Sequence, residues 1–403
     1  MIGERRLENA KKVIEEFRVL DFPLSRFFSN YFKENPKAGS KDRRVLQDLV
    51  YAFYRYYHGI GAVSIEDKIL VAYLLMGGME NSILELWKSR YPGSKFDTSN
   101  SLEKKKEAIA EVLPAIEWGA LFPWKEFIAQ GIDPQELEES YINQPKLFIR
   151  IYEPYAKILK QVLNEKGIGF EEINSYCLAL DNRTNINSLK EGDLKSAFEI
   201  QDLSSQATGE YFKAAPRTNW WDCCAGAGGK SLLLSQLYPG VNLWASDSRY
   251  SVIQNLEKRY TESGFPCPRT FVQDLLAEDN LAFREGFFEG IILDAPCSGS
   301  GTWSRTPERL GNFHPSSLGR MVEIQKKIGD KVIPYLNKGG ALIYITCSIF
   351  KAENEEIVDY FIDRYKLKLE SMQYLNGMNQ GADTLFLARF IYEGFANPSL
   401  LDL

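Results

Sequence analysis

An apolar run, Gly290-Ile-Ile-Leu293, passes directly into Asp294-Ala-Pro-Cys297-Ser-Gly-Ser-Gly301. A short β-rich run closed by an acid, a proline and a glycine-rich loop reads as a buried parallel strand. Sheets of such strands bind ligands just past their carboxyl ends. Asp294 and Cys297 therefore stand where chemistry is expected. A second run, Ala341-Leu-Ile-Tyr-Ile-Thr346, leads into Cys347 in the same way. Two strands would thus each deliver a cysteine to one edge of a sheet. A pair of inert, half-buried thiols is the competing reading, since free cysteine often behaves as a small core residue.

The residues around these two runs repeat the same grammar. Asn219-Trp-Trp-Asp222 reads as a strand, and Cys224-Ala-Gly-Ala-Gly-Gly-Lys-Ser231 as a glycine-rich turn opening a helix through Leu237. Val241 to Ala245 and Thr270 to Val272 are further strands, ending at Asp247 and Asp274. Long helices over Ser317–Leu336 and Asn354–Arg364 flank the Ala341–Ile345 strand, and Leu385 to Tyr392 closes the chain as a final strand. Strand and helix in alternation predict an α/β Rossmann-like domain with a doubly wound, mostly parallel sheet.

The first third has a helical period instead. Asn9 to Asn30 carries Ala10, Val13, Ile14, Phe17 and Leu20 at helical spacing. Ser40 is the expected N-cap of a second helix, and Ser64 with Asp67 starts another. The aromatic stripe Tyr51, Phe53, Tyr54, Tyr56 and Tyr57 fits core and rim packing better than base stacking. Lys104-Lys105-Lys106, between Glu103 and Glu107, reads as a solvated helix face. After Asn143-Gln-Pro145 come a strand at Leu147–Tyr152, a helix at Pro154–Asn164 and extended segments at Ala179–Ile186 and Glu199–Gln201. The expected organisation is multidomain: an all-α domain over 1–142, a small α+β linker domain over 143–206 and the α/β domain over 207–403.

Composition narrows the function. A chain of 403 residues with 44% hydrophobic and 25% charged content has room for several cores. No apolar run is long enough to span a membrane. Six cysteines without a regular framework predict reduced thiols and a cytoplasmic protein. No cysteine pair has zinc spacing, and with only two histidines neither a metal site nor a histidine triad is expected. A net charge of −6 means that any nucleic acid must be met by a local basic surface. A monomer is expected.

Three ligands compete for the glycine turn. A P-loop needs G-x-x-x-x-G-K-[ST]; Gly229-Lys-Ser231 fits its end, but Cys224 stands where its first glycine belongs. A dinucleotide fingerprint needs G-x-G-x-x-G; Gly226 and Gly228 fit, but Lys230-Ser231 breaks the third place. S-adenosylmethionine needs backbone approach after the first strand and an acid for ribose hydroxyls after the second. Asp247 can accept two hydroxyl donors, and Asp274 can accept from an adenine amino group.

Several motifs together resemble one family. Asp222-Cys-Cys-Ala-Gly-Ala-Gly-Gly-Lys-Ser231 resembles the D-x-C-A-A-P-G-G-K-T motif of the Nop/Sun (Fmu-like) RNA cytosine-5 methyltransferases, with Gly226-Ala227 in place of Ala-Pro. Asp294 to Gly301 resembles their D-A-P-C-S-G-x-G, and Tyr344-Ile-Thr-Cys-Ser348 their Y-x-T-C-S, followed by Glu353-Asn354 as E-N. Gln201-Asp-Leu-Ser-Ser-Gln206 matches Q-D-x-S-S-Q, and Arg305-Thr-Pro-Glu308 is similar to R-x-P-[DE]. In the N-terminal third, Lys41-Asp-Arg-Arg-Val-Leu-Gln-Asp48 looks like the K-D-R-x-x-L-Q-[DE] stretch of the NusB-like helical domain of bacterial 16S ribosomal RNA members.

The resemblance implies an S-adenosylmethionine-dependent enzyme that methylates carbon 5 of a cytosine in RNA, with ribosomal RNA the expected partner. It implies Cys347 as the nucleophile, Cys297 as an aid to product release, and Lys230 and Asp294 as the pair facing the base. It implies a cofactor site of Cys224, Ala225, Gly226, Ala227, Gly228, Gly229, Lys230, Asp247, Asp274 and Asp294. A transfer RNA substrate, a noncatalytic ribosome-assembly factor and a P-loop ATPase remain the alternatives. Intact Cys297, Cys347, Asp247 and Asp294 argue against the assembly factor, and Cys224 against the ATPase.

Overall fold

The computed structural model describes residues 2–18, 22–189, 192–278, 281–365 and 367–394. They group into two compact units. The first holds the residues up to Lys125 together with Tyr141–Asn143 and Trp303–Phe313. Its helices are Ile2–Phe17, Leu24–Glu34, Ser40–Arg55, Ile65–Leu75, Asn81–Arg90 and Leu102–Val112, with a two-residue ladder of β1 (Ile60–Gly61) and β2 (Glu117–Trp118). Leu7, Ala10, Val13, Ile14 and Phe17 line one face of the first helix and meet Leu49, Phe53, Leu70 and Trp87 in a common core.

The expected helix from Asn9 to Asn30 is two helices. Pro23 stands at the N-cap of the second, and a proline has no N–H to continue a helical ladder. Leu20 lies outside the described residues. Ser40 is the first helical residue rather than the cap, which is Gly39. Ser64 does cap its helix, its hydroxyl accepting from the Asp67 N–H at 3.1 Å. In the aromatic stripe Phe53, Tyr54 and Tyr56 are buried, and Tyr54 packs edge-on against Phe17. The lysine run is not uniformly solvated: Lys105 is buried, and the Lys106 ammonium lies 5.4 Å from the Trp118 ring centroid.

Trp303–Phe313 was not foreseen in this unit. Trp303 packs beside Phe122, Tyr141 and Phe313. The buried Arg55 guanidinium donates to the carbonyls of Tyr141 and, at 2.7 Å, Ser304. Burial lowers its pKa to about 10. Glu308 accepts from the Leu24 N–H at 3.1 Å, and the Leu310 carbonyl lies 3.1 Å from His58 Nε2.

The second unit holds Glu126–Ser140, Gln144–Thr302 and the residues from His314 onward. It contains a four-stranded antiparallel sheet of β3 (Leu147–Ile151), β4 (Phe170–Asn174), β5 (Cys177–Leu180) and β6 (Phe198–Ile200), ordered β4-β5-β3-β6. The helix Ala156–Glu165 covers it with Leu159 and Leu163.

The larger sheet has seven strands: β7 (Asn219–Asp222), β8 (Asn242–Asp247), β9 (Arg269–Val272), β10 (Phe288–Asp294), β11 (Leu336–Thr346), β12 (Lys368–Asn376) and β13 (Thr384–Ile391). Their order is β12-β13-β11-β10-β7-β8-β9, with β7 to β11 parallel and β13 antiparallel to both its neighbours. Alternate residues explain why its central strands read as unbroken apolar runs. Trp221, Ile291, Leu293, Leu342 and Tyr344 enter one core, while Trp220, Ile292, Ile343 and Ile345 enter another. Helices Ser317–Val332 and Glu355–Tyr365 cover the first core, and Gly229–Leu237 contributes to the second. Both faces are therefore buried, as parallel strands require. Strand order reverses between β7 and β10, which opens a crevice at their carboxyl ends.

Arg55→Met should lower the stability of the helical unit by about 2–6 kcal/mol, since two buried carbonyls lose their donor at about 1–3 kcal/mol each. Urea unfolding followed by tryptophan fluorescence would show it; an unmoved midpoint would mean that Trp303–Phe313 is held without the Arg55 bonds.

Candidate active site

The first strand of the large sheet ends at Asp222, and the glycine turn follows at once. The Ala225 N–H donates to the Ser246 carbonyl at 2.8 Å, tying the turn to β8. Gly226 (φ +53°) and Gly228 (φ +81°) take left-handed backbone that side chains disfavour. A methyl group on Gly228 would meet Leu256 at 2.7 Å, whereas one on Gly226 would meet nothing within 4 Å. The turn is thus packed behind and open in front. Two side chains hold its carbonyls: Gln201 donates to Gly229 at 3.2 Å, and Arg259 donates to Ala227 at 2.7 Å. Arg259 also pairs with the buried Glu199 of β6 at 2.7 Å. The four-stranded sheet therefore reaches the glycine turn through Glu199 and Gln201, which gives the Q-D-x-S-S-Q stretch its structural task.

The acids diverge in role. Asp247 ends β8, is 7% exposed, and accepts the Gly226 N–H at 3.1 Å. It also binds the backbone and guanidinium of Arg249 at 2.9–3.1 Å. Burial works to raise its pKa, but these Arg249 bonds outweigh it and hold the carboxyl below the usual aspartate value. Asp274 is exposed beyond β9, and its carboxylate accepts the Leu276 N–H at 2.9 Å. No hydrogen bond joins it to the glycine turn among the described residues. Cys224 is half-buried in the turn, and its neighbour Cys223 is buried with its sulfur 3.2 Å from the Ile292 carbonyl.

Lys230, Asp294, Cys297 and Cys347 gather at the ends of β10 and β11. The Lys230 ammonium donates to Asp294 at 2.6 Å. Burial works against its charge, yet Asp294, with Cys347 and Asp222 further off, holds its pKa above the lysine value. Parallel register pairs Asp294 with Ile345. Cys297 and Cys347 follow within three residues on each strand, and their sulfurs lie 3.4 Å apart as free thiols. The hydrogen bond to Cys347, then burial, then the charges of Cys347 and Glu353, push the Cys297 thiol well above its ordinary value.

The sequence model of the family described as 16S rRNA methyltransferase RsmB/F matches residues 211–392. Over those residues the chain resembles the RsmB/F family. Ribosomal RNA small subunit methyltransferase B of Xylella fastidiosa is 30% identical over 274 residues, which are 64% of this chain and 63% of that protein. The match thus spans less than two thirds of this curated relative. Among solved structures, PH0851 covers 96% of this chain and 98% of its own with a TM-score of 0.65 at 17% identity. The crystal structure of NSun6 from Pyrococcus horikoshii with SFG covers 65% of this chain and 94% of its own, with a TM-score of 0.55 at 15% identity. These two likenesses support the fold.

Sequence reading passed over one group in the RsmB/F segment. Asp222 is fully buried beneath the site; one carboxylate oxygen accepts from Ser231 at 2.6 Å, and the other has no hydrogen-bond partner. Burial, only partly offset by Ser231 and reinforced by Asp294, raises its pKa to about 7. An acid directly after Trp220-Trp221 was the available signal. Between the unfolded value of about 3.9 and about 7, the native state holds a proton that the unfolded chain has lost. Stability should therefore fall as pH rises through that window. Asp222→Asn keeps an oxygen for Ser231 and removes the slope. It should match the wild type near pH 4 and exceed it above pH 7 by a few kcal/mol, at about 1.4 kcal/mol per unit. Urea midpoints across this range would measure the difference, and parallel curves would show that Asp222 stays ionised throughout.

Proposed function

We propose that the chain is an S-adenosylmethionine-dependent methyltransferase acting on carbon 5 of a cytosine in RNA, most naturally 16S ribosomal RNA. The observation that carries this reading is the 3.4 Å approach of two thiols from adjacent strand ends beside the Lys230–Asp294 pair. The family supports a ribosomal RNA methyltransferase; the thiol pair supports the base and the carbon.

The residues fit the cofactor. Gly226 leaves backbone open where a nucleoside must approach, and Asp247 presents a carboxylate beside it at the second strand end. A ribose diol would take the oxygens that Arg249 now occupies, since a carboxylate has about four acceptor sites. Cys224 to Lys230 would line the rest, with Asp274 reaching the adenine. When bound, S-adenosylmethionine supplies the electrophilic methyl group.

Cytosine carbon 5 needs activation to receive that methyl. In this reading the Cys347 thiolate adds to carbon 6, and the ring electron pair moves to carbon 5 as an enamine. Carbon 5 takes the methyl and then passes its proton to water. The freed C–H electron pair restores the double bond and expels the Cys347 thiolate. Cys297, whose thiol is pushed well above its ordinary value by the hydrogen bond to Cys347, burial and nearby charge, donates its proton to that leaving sulfur. Asp294 accepts from the exocyclic amine, and Lys230 fixes Asp294. A base inside a duplex cannot reach such a site, so the target is unpaired or extruded. The helical unit would dock the RNA, since phosphate contacts position a substrate that base contacts select.

Cys297→Ala should trap a covalent protein–RNA complex, seen as a slow, ribonuclease-sensitive band on a denaturing gel. Cys347→Ala should give neither band nor methyl transfer, and the double variant should lose the band. A band with Cys347→Ala instead would swap the two roles, and none with any variant would favour a noncatalytic RNA-binding factor.

Asp247→Ala should weaken S-adenosylmethionine binding by about 1–3 kcal/mol, the range for a lost partner to a buried polar group. Calorimetry showing equal affinity in the folded variant would remove Asp247 from the cofactor site.

A further inference from the structure

The residue after each cysteine is a serine, and one buried carboxylate holds both serines. Glu353, 0% exposed, lies in a short 3₁₀ turn just before the helix Glu355–Tyr365. Its Oε1 accepts the Ser298 N–H at 2.8 Å and Gln325 Nε2 at 3.2 Å. Its Oε2 accepts the hydroxyls of Ser298 and Ser348, each at 2.5 Å. Four donors fill a carboxylate's acceptor capacity. Charge-assisted hydrogen bonds of this kind are roughly twice as strong as neutral ones.

The surroundings fasten Glu353 in turn. Tyr344 Oη donates to the Glu353 carbonyl at 2.7 Å from within β11. Gln325 also donates to the Pro296 carbonyl at 3.0 Å, one residue before Cys297. Asn354 donates to the Ser348 carbonyl at 2.8 Å and accepts from Thr346 at 2.6 Å, on either side of Cys347. The ladder pairs of the sheet end at Thr346 and Asp294, and the Ala295 N–H extends them by one bond, to the Ile345 carbonyl at 2.9 Å. One backbone bond, Gly301 N–H to the Cys347 carbonyl at 2.9 Å, joins the loops beyond Glu353.

We propose that Glu353 is the positioning residue of the thiol pair: by clasping Ser298 and Ser348 with one carboxylate, it sets the spacing of Cys297 and Cys347 and makes the two sulfurs unequal. The inference deepens the proposed function, on which its catalytic meaning rests. Two features make the sulfurs unequal. Ser298 gives Glu353 both its N–H and its hydroxyl, whereas Ser348 gives only its hydroxyl, so the Cys297 loop is held more closely. Glu353 also places a negative charge behind Cys297, while the ammonium of Lys230 stands toward Cys347. The negative charge of Glu353 thus adds to what disfavours ionisation of Cys297 and makes it the proton holder of the pair.

The test reads the free protein, so it does not depend on methyl transfer. Iodoacetamide alkylates the thiolate, forming a carbon–sulfur bond as iodide leaves, and peptide mass mapping scores each cysteine separately across pH. In the wild type, Cys347 should react at lower pH than Cys297. Glu353→Gln keeps the volume but removes the charge and turns one acceptor into a donor. Its Cys297 profile should move to lower pH, with alkylation faster by about tenfold below the titration range, the factor that accompanies one pK unit. The two rates should converge. Tyr344→Phe removes the bond to the Glu353 carbonyl without touching the carboxylate; it should cost stability and leave both profiles in place. Identical profiles in wild type and folded Glu353→Gln would overturn the proposal, as would an equal shift in Tyr344→Phe. If Glu353→Gln fails to fold, Ser348→Ala removes one arm of the clasp, and unchanged profiles there count equally against it. Absence of both an RNA adduct in Cys297→Ala and methyl transfer by the wild type would instead overturn the methyltransferase reading while leaving these profiles to decide the role of Glu353.

Discussion

The pairing of β10 with β11 is the interaction on which the site depends. Six residue pairs in parallel register bring Asp294 beside Ile345. Each strand then leaves the sheet with a cysteine within three residues. A slip of one residue would send the side chains of either strand to the opposite face. Here that would put Leu293 and Tyr344 where Ile292 and Ile343 now pack, in a core of different shape on each face. The two buried cores thus enforce the register, and the register delivers the thiols. Packing energy far from the site is converted into sub-ångström placement within it.

The electrostatics of the crevice follow from the same geometry. Strand ends converge, and each brings an acid: Asp222, Asp247 and Asp294. Like charges so close cannot all be ionised without compensation. The three solve the problem differently. Asp294 takes the ammonium of Lys230, Asp247 takes the guanidinium of Arg249, and Asp222, with only the Ser231 hydroxyl, is pushed toward neutrality. A ligand entering this crevice thus meets two carboxylates that already hold cationic partners.

Much of the large sheet was legible because its central strands are buried on both faces and so read as continuous apolar runs between glycine-rich turns. β12 was missed for the complementary reason. Lys368, Glu370 and Gln373 make an edge strand whose polar residues hide a two-residue period. Likewise β4, with Glu171 and Glu172 at an edge, carries little apolar signal. At the site, Asp294, Cys297 and Cys347 were readable from their places after apolar strands, and Lys230 from the resemblance of the glycine turn to the family motif. The grip of Arg249 on Asp247, the carboxyl of Asp222 and the clasp of Glu353 were not, because each depends on a partner brought near by tertiary packing. Asp274, read as a ligand from its place at a strand end, accepts the Leu276 N–H of the turn that follows.

Trp303–Phe313 carries a consequence for how such a chain could arise. It follows the cysteine loop by two residues, yet its aromatic and charged side chains complete the helical unit rather than the one that holds the sheet. The chain therefore visits the helical unit three times, and the last visit interrupts the middle of the sheet unit. A gene that gained or lost its first third in one recombination event would strand Trp303, Glu308 and Phe313 without the neighbours that bury them. The helical unit is consequently not a cassette that can be exchanged at its visible boundary. Its ancestry must have been negotiated together with eleven residues encoded far downstream.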